Sequence, residues 1–256
     1  MLAVMKSEWE RMWARKKTKI GLFLFLFLLA FECFFLWGMG GRSFYDPEHT
    51  VHLNSLNTAP FLLREMAVYL NFILIPMLVV DSFNGEYASG QLRMVLLRPL
   101  SYGKLLTAKW LVCSLLLLSI NVLMWLVGTF FGKWAMPHAE TVHFLNTEDY
   151  GPIGALLFCM AFYGIAFLVF LAVIGVSILI STLLPHPILS YVGIVIFLVG
   201  SVYVSSHLEF FLSVSDSIFH VLGRLQDMSL YWICTASVIL GYGCSLWIWR
   251  RRDWTS

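Results

Sequence analysis

Six stretches of this chain are apolar almost without interruption, and its polar residues collect between them. The apolar runs cover roughly Ile20–Met39, Phe61–Val80, Leu105–Phe131, Ile153–Leu184, Ile188–Ser205 and Leu230–Trp249. A helix that crosses a bilayer needs about 20 such residues. Each run therefore predicts a membrane-spanning helix, termed spans 1 to 6 below. The fourth run is too long for one upright helix, so it is expected to tilt or to begin with an interfacial segment after Pro152. Pro185-His186-Pro187 ends it, because proline restricts its own backbone and that of its predecessor. Span 1 is too long for a signal peptide and lacks a small-residue cleavage site, which makes it a retained signal anchor.

Two further segments are amphipathic. Leu2, Met5, Trp9, Met12 and Trp13 recur at helical spacing among Lys6, Arg11 and Arg15 to Lys17, predicting an interfacial helix ahead of span 1. Between spans 5 and 6, Phe211, Val214, Ile218, Val221, Leu222 and Leu225 form an apolar stripe. Glu209, Asp216, His220, Arg224 and Asp227 break it too often for a span. One or two short extracellular helices dipping into the outer leaflet are expected there.

Charge then orients the chain. Lys6, Arg11, Arg15, Lys16, Lys17 and Lys19 precede span 1; Arg93, Arg98, Lys104 and Lys109 lie between spans 2 and 3; Arg250, Arg251 and Arg252 follow span 6. With six spans these three regions share one side, which the positive-inside tendency makes cytoplasmic. Only Arg42, Arg64, Lys133 and Arg224 fall on the other. The expected product is a multi-pass protein of a cell membrane, bacterial in setting, with both termini cytoplasmic. It forms a single domain over 1–256: an amphipathic helix at 1–19, a six-span bundle at 20–249 and a basic tail at 250–256.

Composition agrees. Of 256 residues, 59% are hydrophobic and 12% charged, against about 25% charged in a soluble domain. The class is an all-α integral membrane protein. Its five cysteines all lie in apolar runs and read as small buried hydrophobes, with no CxxC or Cys/His ligand spacing. No GxxxxGK[ST] phosphate loop occurs, and no GxSxG. Gly128-x-x-x-Gly132 reads as a small-residue packing pair. Leu240-Gly241-Tyr242-Gly243 echoes a potassium filter but lies inside an apolar run, so helix packing is its reading. His138-x-Glu140-x-x-His143 is a weak metal pattern in an outer loop. The chain is therefore not expected to be an enzyme, to bind a cofactor or metal itself, or to contact nucleic acid.

The segment between spans 2 and 3 is the most punctuated. Gln91 to Arg98 places Leu92, Val95 and Leu96 on one helical face with Pro99 after them, the pattern of a short amphipathic helix at the membrane surface. From charge alone it is equally a solvated basic loop. The run Glu86-x-x-x-Gly90-x-Leu92-Arg93-x-x-Leu96-Leu97-x-Pro99-x-Ser101, with Lys104 and Lys109 after it, resembles the signature loop of ABC type-2 permeases, the membrane subunits of ABC exporters. Gln91 stands where threonine is common, and Tyr102 where arginine often follows the serine. The whole layout is similar to that family's.

The resemblance implies a cytoplasmic coupling helix that docks into a groove of a separate ATPase subunit. Gly90 and Pro99 would set its ends, and Glu86 and Arg93 would pair with each other or with the ATPase. It further implies a dimer of permease subunits, identical or not, with two ATPase copies that supply ATP and Mg, and spans 2 and 5 rocking at the dimer interface. The implied activity is export of a hydrophobic or amphipathic cargo such as an antimicrobial peptide, drug or lipid-like molecule. A sensor or resistance complex, an ion exporter, a non-transporting scaffold and an ion channel stand as rivals.

Glu32 is the one acid deep in a span, and such residues are functional candidates. Three fates are open to it. It can pair with Arg64 near the outer end of span 2, line a substrate path together with Arg64, or sit protonated against a hydroxyl.

Overall fold

The computed structural model describes residues 1–45, 49–86, 101–224 and 228–251. Six of its helices are long and apolar enough to cross a membrane: Lys16–Gly38, Thr58–Gly85, Gly103–Ala135, Pro152–Leu183, Pro187–Val204 and Ser229–Arg251. They match the six apolar runs, with ends displaced by a few residues. Apolar periodicity locates a helix well, whereas its ends depend on caps that hydropathy does not report.

The caps are visible. Pro152 and Pro187 begin spans 4 and 5, where a missing N–H costs nothing and a fixed φ suits the first turn. Span 1 stops where Gly40 and Gly41 take left-handed backbone at φ 66° and 70°. Their N–H groups return to the carbonyls of Trp37 and Leu36 at 3.1 and 3.0 Å. Span 4 runs unbroken for 32 residues, about 48 Å at the α-helical rise, so no separate interfacial segment follows Pro152.

The N-terminal helix spans Leu2–Ala14 and is split from span 1 by Arg15 in an extended conformation. Glu8 and Met12 face inward, while Leu2 and Trp13 are exposed. Between spans 5 and 6 lie the expected short elements, a 3-10 turn at Ser206–Phe211 and a helix at Val214–Arg224. Two small antiparallel hairpins complete the far face, Arg42–Phe44 with Thr50–His52 and Val142–His143 with Asp149–Tyr150.

Span 2 is central. In its most apolar stretch 72% of residues are buried, against 22% in each of spans 5 and 6. Spans 4 and 6 meet at glycine: a Cβ added at Gly241 would lie 2.5 Å from the backbone carbonyl of Gly175. Spans 2 and 3 meet the same way, with Gly128 against Ala59 and Gly132 against Thr58. All five cysteines carry free thiols.

Candidate functional site: a buried charge cluster at the root of the polar loop

Span 2 is not α-helical throughout. It widens to π-helix at Leu70–Leu74 and again at Asp81–Gly85. Wide turns of this kind re-aim side chains and occur often at functional sites. The second delivers Glu86 inward, and Glu86 is 2% exposed.

Lys109, two turns into span 3, meets it there. The Lys109 ammonium donates to Glu86 Oε2 at 2.6 Å, to the Ser82 carbonyl at 2.8 Å and to Glu8 Oε2 at 3.1 Å. An ammonium has three donors, and all three are used. Its side chain is wholly buried, and the Phe83 ring lies 5.8 Å away. A buried lone cation would cost several kcal/mol; here two carboxylates and a carbonyl replace its water.

Arginines close the other side. Arg15 donates to Glu86 Oε1 at 2.5 Å and to Ser82 Oγ at 3.2 Å. Arg11 lies 2.9 Å from Glu8 Oε1 as an ion pair without the alignment of a hydrogen bond, and 3.5 Å from Glu86 Oε1. Towards the rim, Asp81 takes Lys17 at 3.0 Å and Arg15 at 3.6 Å. Three carboxylates and four cations from the N-terminal helix, its exit, the start of span 1, the end of span 2 and span 3 thus form one network.

Asn84 fastens the same π-turn on its opposite side. Its Nδ2, with two N–H donors, lies within hydrogen-bond reach of three acceptors: the carbonyls of Ser181 and Leu184, at 3.2 and 2.5 Å, and Ser190 Oγ at 2.8 Å. Two carbonyl partners fix which amide atom is nitrogen. The end of span 2 is thereby tied to the N-terminal helix, to span 3 and to the turn between spans 4 and 5.

The predicted site residues fare differently. Glu86 is placed at the head of the polar loop, with its carboxylate against Lys109 and Arg15. Gly90, Arg93 and Pro99 lie outside the described residues. Glu32 and Arg64 are not partners. Arg64 donates to the Phe44 carbonyl and sits 3.7 Å from Asp216 and 4.0 Å from Glu65. Glu32 is buried on the inner face of span 1, and its Oε1 has no hydrogen-bond partner among the described residues.

Sequence reading missed Glu8, Arg11, Arg15 and Lys109 as members of a site. One signal was present: Met5, Glu8, Met12 and Arg15 follow one another at helical spacing, which puts an acid within an apolar stripe. Among the described residues no cluster of His, Cys, Asp and Glu is arranged to hold a metal ion. The chain matches no protein-family model, and no curated protein is similar to it in sequence.

Proposed function

We propose that this chain is the membrane subunit of an ATP-driven ABC exporter. It couples ATP hydrolysis by a separate cytosolic ATPase to alternating-access export of a hydrophobic or amphipathic cargo. Both termini and the segment 87–100 face the cytoplasm, where two ATPase copies bring ATP and Mg. A second permease subunit completes the path, and Glu32 and Arg64 are the polar groups nearest to it.

One observation carries the reading. The motif-bearing stretch of sequence from Glu86 to Lys109 begins and ends at a single ion pair. Force delivered to the segment between would reach spans 2 and 3 together, with the N-terminal helix and the span 4–5 turn following through Arg15 and Asn84. A merely solvated loop has no need of such a base. The coupling contact is then made by Gly90, Arg93 and Pro99, with Glu86 anchoring them at the base.

Affinity capture of the full chain from mildly solubilised native membranes, followed by mass spectrometry, tests this. An ABC-type ATPase is expected to co-purify. Arg93→Glu should lower its recovery by more than about tenfold, as charge reversal at a docking contact does, with thermal stability unchanged. Absence of any ATPase in detergent and in nanodiscs would overturn the proposal in favour of a scaffold or channel.

A further inference from the structure

Span 2 contains a second irregularity, half-way along its length and far from the charge cluster. Through Leu70–Leu74 the helix is π-wound, and the Ile75 N–H reaches back five residues to the Leu70 carbonyl. Pro76 follows at once. It has no N–H to give, so the α-helical donor for the Phe72 carbonyl, four residues earlier, is missing. A π-turn joined to a proline is where a helix bends most readily.

The gap is filled from another helix. The Tyr191 hydroxyl, on span 5, donates to the Phe72 carbonyl at 2.7 Å. Asn71, fully buried, donates from Nδ2 to the Phe211 carbonyl at 3.1 Å, in the 3-10 turn that follows span 5. At the lower π-turn, Asn84 holds Ser190, one residue before Tyr191. So both π-turns of span 2 are gripped by polar ties to span 5 or its flanking turns. Span 5 is otherwise sparsely packed, with 22% of its apolar stretch buried, so these ties set its register against span 2.

We propose that Leu70–Pro76 is a hinge in span 2, that the Tyr191 hydroxyl is its latch, and that Tyr191 and Asn84 are the positioning residues that make span 5 follow span 2. The role in transport rests on the ABC permease reading; the hinge itself does not. A bend in span 2 must break or carry along the Tyr191 bond, because Pro76 has no N–H to replace it at the Phe72 carbonyl. Asn84 moves the base of span 5 with the charge cluster. The two ties convert movement at the polar loop into a paired displacement of spans 2 and 5.

Amide hydrogen exchange on the full chain in lipid nanodiscs tests the hinge. Tyr191→Phe should speed exchange of the amides from 70 to 78 about tenfold, the scale of one hydrogen bond, and leave those of 111–117 in span 3 unchanged. Pro76→Ala supplies a backbone donor one turn after Phe72 and should slow the same amides. Adding Tyr191→Phe to Pro76→Ala should then have no further effect, which a general loss of packing could not mimic. Unchanged exchange in Tyr191→Phe, or additive effects in the double variant, overturns the latch.

If an ATPase co-purifies, ATP addition should change exchange at 70–78 in the wild-type complex and not in the Pro76→Ala complex. No ATP-dependent change there overturns the transport role of the hinge. Failure to capture any ATPase overturns the permease reading, and the exchange of the single and double variants still decides the hinge.

Discussion

At one end of the bundle Lys109, Glu86, Glu8, Arg11 and Arg15 are held by charge. At the other, Tyr45, Phe61, Phe158, Phe162 and Phe219 are held by stacked and edge-on rings 4.8 to 6.4 Å apart. Both regions join elements distant in sequence, and both are buried. They differ in how they fail. An ion network in a dry setting has steep energetics: each member is costly without its partners, so intermediate arrangements are disfavoured. Ring contacts are shallow and broad, and neighbours refill part of any loss. A charged end suits an all-or-none joint, and an aromatic end suits a compliant seal.

The contrast is sharpest at Lys109. Lys109→Met leaves Glu86 and Glu8 without their shared cation and should cost about 3–5 kcal/mol, read as a large fall in melting temperature in detergent. Replacing Glu86 with Gln in that background should recover part of it. If the single variant melts like the wild type, the network is not the joint described here.

At the aromatic end, Phe219→Leu keeps most of the volume and removes ring contacts with Tyr45, Phe61 and Phe162. A loss of about 1.5 kcal/mol is expected, and a loss as large as that of Lys109→Met would erase the distinction between the two ends.

Tyr45→Phe removes a hydroxyl that donates to the His143 carbonyl at 2.9 Å, at a cost of about 1 kcal/mol. It also tests a sign. Burial pushes the Tyr45 phenol above its ordinary value of 10.0. The neutral phenol is thus favoured in the fold, and its contribution is full below pH 10.0 and lost as pH rises towards the folded value. Alkaline titration above pH 10 should therefore loosen the wild type more than Tyr45→Phe, followed by ring-region fluorescence.

Smallest of all is Lys17→Ala. Lys17 is 70% exposed in its side chain although it lies 3.0 Å from Asp81, so a change under about 0.5 kcal/mol is expected. A larger one would mean that the rim of the network shares the steepness of its centre.

The two ends were also unequally legible in sequence. The six long helices follow from hydropathy, and the short elements between spans 5 and 6 follow from Asp216 and His220 interrupting an apolar stripe. These are local patterns. The charge cluster is not local: Lys109 meets a glutamate 101 positions earlier in the chain. Read along the chain, Lys109 is one more basic residue on the inner side, and Glu86 belongs to a loop motif in which Arg93 or an ATPase is its expected partner. The π-turn at Asp81–Gly85 is what turns Glu86 inward, and no residue in that stretch announces a wide turn. Pro76 marks a break in span 2, yet only the fold reveals that Tyr191 completes it. In the N-terminal helix burial follows the line through Glu8 and Met12, and Leu2 and Trp13 stay outside it, where the apolar side chains of an interfacial helix are expected.

Moving parts can be measured only against something that stays still, and the glycine crossing of spans 4 and 6 supplies it. Where Gly241 touches the Gly175 backbone there is no side chain to change rotamer and no gap to close. The two helices cannot approach further without collision of main chain on main chain. Probes placed on spans 4 and 6 either side of that crossing should keep one separation in every state of the protein, a built-in ruler against which displacements of spans 2 and 5 can be read.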